Sequence, residues 1–141
     1  MMRHFDLHCD TLARCQKEKS ELLQNEFDIS LERGQIFDEW VQVFAAFVHD
    51  DYRGVKAYRH FLSQVQLLKA TIDQSEKIVS YDPKNVQKGV CNAILSVENG
   101  AALGGKLDRI SEFAELGVRL FSLVWNGENE LAGGVDSEMG L

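Results

Sequence analysis

The stretch Phe5-Asp-Leu-His-Cys-Asp-Thr-Leu12 sets His8 and Asp10 two residues apart. On an extended chain both side chains leave the same face, roughly 6.5–7 Å apart along the strand. An imidazole nitrogen and a carboxylate oxygen can then reach one divalent ion, and that mixed donor set suits zinc. Glu98 closes a second apolar run, Val90–Val97, and is followed by Asn99 and Gly100. A carboxylate there either enters a pocket or is a solvated loop residue. If it faces His8 and Asp10, it can bridge two ions about 3.5–4 Å apart, an arrangement that activates water and polarises a carbonyl. The plainer alternative for His8 and Asp10 is a hydrogen-bonded pair that caps the strand.

Other candidates carry less. His49 stands before Asp50 and Asp51, and a loop histidine beside two aspartates reads as an exposed, salt-bridged residue. His4 and His60 read as structural, and Glu128 and Glu130 as solvated residues of a mobile-looking loop. Trp125 and Asn126 close a further apolar run. Cys9 lies between the two candidate ligands, and strand alternation turns it the other way, into the wall. The odd count of three cysteines argues against a disulfide framework, and the absence of a Cys-x-x-Cys pair argues against a structural zinc knuckle.

The elements that must position these residues alternate in type. His4–Cys9 reads as a short strand. Residues 11–36 read as a helix followed by an irregular connection, with Asp28–Leu31 a candidate extra strand. Trp40–Val48 is aromatic, β-branched and nearly all apolar, as a strand buried on both faces requires. Val55, Tyr58, Phe61, Leu62, Val65, Leu68 and Ile72 recur at helical spacing and predict one long amphipathic helix. Val90–Val97 predicts a third strand, Leu107–Ala114 a second helix stopped near Gly117, and Val118–Val124 a fourth strand.

Strands separated by helices imply parallel βαβ units. The candidate polar residues gather at the C-terminal ends of the strands: His8 and Asp10, then His49–Asp51, then Glu98, then Trp125 and Asn126. That is the end at which barrel enzymes place their sites. Four such units make up about half of a (β/α)8 TIM barrel, which takes ~250 residues. The expected fold is therefore α/β, the N-terminal half of a TIM barrel, with residues 1–141 a partial barrel domain. A doubly wound open sheet is the rival, but the first strand leads into Asp-Leu-His-Cys-Asp-Thr and not into a Gly-rich phosphate loop.

The bulk composition fits a globular protein, with 45% hydrophobic and 26% charged residues. A net charge of -7 argues against nucleic acid or an anionic membrane surface as partner. No apolar run approaches the ~20 residues of a membrane span. The first residues lack the apolar core of a signal peptide, so a cytoplasmic protein is expected.

Three segments together resemble one family. Phe5–Leu12 resembles the opening Asp-x-His-x-Asp strand of the renal (membrane) dipeptidases, a branch of the amidohydrolase-like metal barrels. Ala93-Ile-Leu-Ser-Val-Glu-Asn-Gly100 resembles the segment that carries their bridging glutamate. Leu116–Asn126, continuing to Gly134, resembles their fourth strand and its loop. The resemblance implies two Zn2+ ions in a complete site, with His8 and Asp10 on the first and Glu98, the catalytic carboxylate, bridging both. It implies hydrolysis of dipeptides by a zinc-activated hydroxide, with Trp125 and Asn126 near the substrate. Some members have a histidine where this chain has Trp125. The family's two later histidine ligands and a later catalytic aspartate lie beyond the matched segments. The expectation is an N-terminal portion that is inactive alone. Its rivals are a related amidohydrolase acting on a non-peptide amide and a non-catalytic half-barrel that self-associates as a homodimer.

Overall fold

The computed structural model describes residues 1–140. Five strands form one sheet: β1 (Arg3–Cys9), β2 (Glu39–Phe47), β3 (Ile78–Ser80), β4 (Cys91–Glu98) and β5 (Val118–Phe121). The order is β1-β2-β4-β3, and β5 also pairs with β4. The pairings of β1 with β2, β3 with β4 and β4 with β5 are all parallel. Between the strands run α1 (Thr11–Glu18), α2 (Gly54–Gln74) and α3 (Arg109–Glu115). Parallel strands joined through helices are the expected βαβ architecture. Among the described residues no helix is long and apolar enough to cross a membrane.

The chain divides into two compact units. The first comprises Met1–Ala45 and Gln66–Ile94. In it Trp40, Val43 and Phe44 of β2 are buried, together with Leu12, Cys15, Leu22 and Leu31 from the segment after β1. Burying one leucine or phenylalanine side chain stabilises by roughly 1.5–3 kcal/mol. The buried Asn92 is satisfied by backbone: it donates to the carbonyl of Trp40 at 3.0 Å and accepts from the amide of Gln87 at 2.9 Å. The expected extra strand at Asp28–Leu31 does not form. Leu31 N instead donates to the carbonyl of Leu22 at 3.0 Å, and Asn25 Oδ1 accepts from Phe27 N at 2.9 Å, so local turn bonds take the groups a strand would have used. The short strand β3 was not expected from the sequence, because three residues are too few for a period to register.

The second unit comprises Ala46–Val65 and the chain from Leu95 on. Its core stacks Phe61 of α2 on Phe113 of α3, ring centroids 4.1 Å apart. Of the predicted α2 stripe, Phe61, Val65 and Leu68 are buried while Val55 is exposed. Gln64 of the same helix is fully buried and substitutes for a strand neighbour. Its Oε1 accepts from Phe47 N at 3.1 Å and its Nε2 donates to Phe47 O at 2.7 Å. Helix α3 ends where Gly117 takes φ 98°, a conformation that favours glycine. β5 ends at Phe121, short of the predicted Val124. The chain beyond it nonetheless stays bonded to the end of β4, through Ser122 N to Val97 O at 3.0 Å and Gly100 N to Leu123 O at 3.1 Å.

Candidate metal centre

His8 lies in β1 and Asp10 immediately follows that strand, at the N-cap of α1. Aspartate at an N-cap ordinarily accepts a bond from the first turn of the helix. Here the Asp10 carboxylate makes no capping bond. It turns to His8 instead, with Oδ1 3.1 Å from Nε2. Both side chains are exposed. The backbone of this strand end is held by Asp6, whose Oδ1 accepts from His8 N at 3.2 Å and whose Oδ2 accepts from the buried Gln42 at 2.8 Å. Cys9 is buried, and burial pushes its thiol up to about 12; the register of β1 against β2 shifts between Asp6 and Cys9, so simple alternation does not hold at this strand end.

Glu98 is the last residue of β4. Zinc bonds of about 2.0–2.2 Å place two ligands of a tetrahedral ion about 3.3–3.6 Å apart. The 3.1 Å His8–Asp10 spacing is close to that edge. One nitrogen and two carboxylates form a donor set that zinc accepts.

The residue after Glu98 was not singled out from the sequence. Asn99 is buried with φ 83°, a backbone that non-glycine residues adopt only when surroundings hold it. Those surroundings are four side-chain hydrogen bonds. Nδ2 donates to the carbonyl of Val48 at 2.9 Å and to Asp50 Oδ1 at 2.8 Å. Oδ1 accepts from Ala101 N at 3.1 Å and from Asn129 Nδ2 at 2.8 Å. The carbonyl of Glu98 itself accepts from Val48 N at 3.1 Å. Apart from Ala101, these partners lie far away in the chain, and nothing in the local pattern around Asn99 marks them.

Asp50 extends the network. Its Oδ2 accepts from Gly127 N at 2.7 Å, and a Cβ on residue 127 would stand 3.0 Å from that oxygen. Arg53 donates to the carbonyls of Asp50 and Glu128. The segment after β5, read from its composition as a mobile loop, is thus fastened at several points. Glu128 is exposed but is not merely solvated, since Oε2 accepts from Ser137 Oγ at 2.8 Å.

Trp125 and Asn126 sit in that fastened segment. The Trp125 ring packs edge-on to Phe47 at 5.0 Å and tilted against His49 at 5.5 Å. It keeps 37% of its surface exposed. The carbonyl of Asn126 accepts from Asp136 N at 2.8 Å. His49 is exposed and its Nδ1 lies 3.3 Å from Asp51 Oδ2, the ion-pair geometry its sequence suggests. Its ring contacts with Phe47, Tyr52 and Trp125 are additional. His4 stacks on Phe37 at 4.4 Å and His60 meets Tyr52 edge-on at 4.9 Å, both in packing roles.

Residues 1–140 match the family model of membrane dipeptidase, peptidase family M19. The chain belongs to the membrane dipeptidase family. Two solved metallopeptidase structures share its fold. One, the dipeptidase AC, a metallopeptidase of family M19, superposes with a TM-score of 0.72 at 20% identity, over 91% of this chain and 44% of that one. A metallopeptidase from Rhodobacter sphaeroides, bound to a phosphinate mimic of the dipeptide L-Ala-D-Ala, gives 0.75 at 18% identity, over 95% of this chain and 48% of that one. An amidohydrolase from Pseudomonas aeruginosa gives 0.59 at 15% identity, over 71% and 31%. No curated protein matches the chain significantly. The chain thus spans less than half the length of either metallopeptidase structure, and its mixed α/β fold with a parallel sheet corresponds to that part of a TIM-barrel dipeptidase.

Proposed function

We propose that this membrane dipeptidase family chain contributes the first metal ligands of a zinc-dependent dipeptidase. The observation that carries the proposal is the placement of His8, Asp10 and Glu98 at strand ends, where barrel enzymes work, with His8 Nε2 and Asp10 Oδ1 3.1 Å apart. His8 and Asp10 would hold one zinc ion, and Glu98 would contribute its carboxylate to the same centre. When bound, two zinc ions supply an activated water and polarise the carbonyl to be cleaved.

The remaining work belongs to the protein. Asp6 and Gln42 hold the backbone at His8, and Asn99 and Val48 hold the backbone at Glu98. Diverting the Asp10 carboxylate from its capping position keeps it beside His8 at 3.1 Å. Fixed donors avoid reorganisation at the moment of reaction. The substrate class is short peptides of two residues. Three donors make an incomplete two-ion site, so turnover also needs the further ligands implied for the second half of the barrel, and residues 1–141 alone bind zinc without cleaving dipeptides.

The test is zinc-dependent cleavage by the protein isolated from its own cells, offered a panel of dipeptides beside a set of cyclic amides. Release of free amino acids that stops with a chelator and returns with zinc supports the proposal. Turnover of cyclic amides alone reassigns the site to another amidohydrolase.

A further inference from the structure

We propose that Asp50 is a positioning residue for the candidate metal ligand Glu98. Its carboxylate fixes the turn after Glu98 through the side chain of Asn99, and the same carboxylate couples that turn to the segment after β5. The proposal rests on the zinc-dependent dipeptidase reading and adds what holds one ligand in place and what moves with it. Every residue it uses lies within the second compact unit.

The first observation is chemical. Both oxygens of the Asp50 carboxylate accept from N–H groups, Oδ1 from Asn99 Nδ2 at 2.8 Å and Oδ2 from Gly127 N at 2.7 Å. Only a side chain with two acceptor atoms satisfies both donors. An asparagine there would turn its own amide hydrogens against one of them. Arg53 draws the same two segments together, since its guanidinium donates to the carbonyls of Asp50 and Glu128.

The second observation is the turn itself. Asn99 has φ 83° and ψ 110°, away from the left-handed well at about 57° and 47° that asparagine tolerates. Its side chain is fully engaged. Nδ2 donates to Val48 O at 2.9 Å as well as to Asp50, and Oδ1 accepts from Ala101 N at 3.1 Å and Asn129 Nδ2 at 2.8 Å. Val48 O and Ala101 N are backbone groups of fixed polarity, so Nδ2 is the atom that faces Asp50. The φ rotation of residue 99 carries the peptide group that joins it to Glu98, so relaxing it swings Glu98 against the 3-10 turn at Gly100–Leu103.

The third observation is that the bonds close a circuit. Val48 N donates to the carbonyl of Glu98 at 3.1 Å, so residues 48–50 grip both sides of the Glu98–Asn99 junction. On the far side the buried Asn129 bonds Asn99 and the carbonyl of Leu123, the latter at 2.7 Å. Gly127, two residues before Asn129, returns to Asp50. An ion that selects one arrangement of Glu98 therefore favours the closed circuit, and coupling between binding and such a state is reciprocal.

The experiment compares zinc affinity and amide exchange in the wild-type chain, Asp50→Asn and Tyr58→Phe. Tyr58→Phe is the control, because it removes a bond to Glu112 in the same unit but outside the circuit. Zinc affinity, read by competition with a chromophoric chelator, is expected to fall about 10–100-fold in Asp50→Asn, the range for losing a group behind a ligand. In Tyr58→Phe it should not change. Exchange of the Gly127 and Asn129 amides, followed by NMR, should slow by about fivefold or more when zinc binds the wild type, and should ignore zinc in Asp50→Asn. Equal zinc affinity in wild type and Asp50→Asn, or an equal fall in Tyr58→Phe, overturns the proposal. So does exchange at Gly127 and Asn129 that ignores zinc in the wild type, a result that needs no variant and decides even where Asp50→Asn does not fold. A wild-type chain that takes up no zinc removes the metal centre and this proposal with it. Failure of the dipeptidase reading alone has a different signature: zinc binds and slows exchange as expected, but the protein from its own cells cleaves no dipeptide.

Discussion

His8 Nε2 stands 3.1 Å from Asp10 Oδ1 across a strand-to-helix junction where the carboxylate makes no capping bond. A carboxylate that gives up its cap for an imidazole is placed for a shared cation. Asp10→Asn keeps shape and capping capacity but removes the charge. Zinc affinity should fall by more than about 100-fold, beyond the 10–100-fold typical of losing an outer partner. Metal-free stability should move by less than about 0.5 kcal/mol, as for other surface changes. Calorimetric zinc titration and urea unfolding of the two proteins read both quantities.

Asn99 is the buried hub behind Glu98. Asn99→Ala removes four hydrogen bonds and leaves Asp50, Asn129 and the carbonyl of Val48 each short of one partner. Each buried group left unsatisfied costs about 1–3 kcal/mol, so urea unfolding should show a loss of at least about 3 kcal/mol. Asn99→Gly relieves the backbone at φ 83° but loses the same bonds, and should recover no more than about 1 kcal/mol of that loss.

His60 titrates below its usual 6.5, from burial first and from Lys56 second. Its other close neighbour is Tyr52, which also lies under the Lys56 ammonium. Below pH 6.5 the unfolded chain takes up this proton more readily than the folded one, so stability from this group is full above 6.5 and is lost as pH falls through the folded value. An NMR titration should place the His60 midpoint below 6.5, and Lys56→Gln should move it upward.

Cys15 is pushed up from 9.0 to about 11 by burial, and Cys91 further in the same direction for the same reason. Both stay protonated at pH 8, so a thiol reagent should modify the folded chain slowly and the urea-unfolded chain fast. The unfolded thiols ionise near 9 while the folded ones do not. Stability from these groups is therefore complete below pH 9 and declines as pH rises toward 11, which urea unfolding at pH 8 and pH 10 would reveal.

The sequence carried most of the architecture. The continuous apolar runs of β2 and β4 and the helical stripe of α2 are long enough for their periods to be read. β3 is three residues long, and the Asp28–Leu31 segment has strand-like composition whose backbone groups were captured by local turns. The candidate ligands His8, Asp10 and Glu98 were legible because strand alternation and strand ends are local properties. The supports behind them were not. Asn99 bonds Val48, Asp50 and Asn129, and Asp50 bonds Gly127; partners that distant leave no periodic trace. The same gap made the segment after β5 read as mobile when Asp50, Arg53 and Asn99 hold it in place.

The central claim is that His8, Asp10 and Glu98 share a metal ion. Native mass spectrometry of the 15.9 kDa chain with added zinc tests it directly, alongside Glu98→Gln and His8→Ala. The account predicts zinc on the wild-type chain and its loss in both variants. Wild type without zinc, or variants that retain it equally, would contradict the claim.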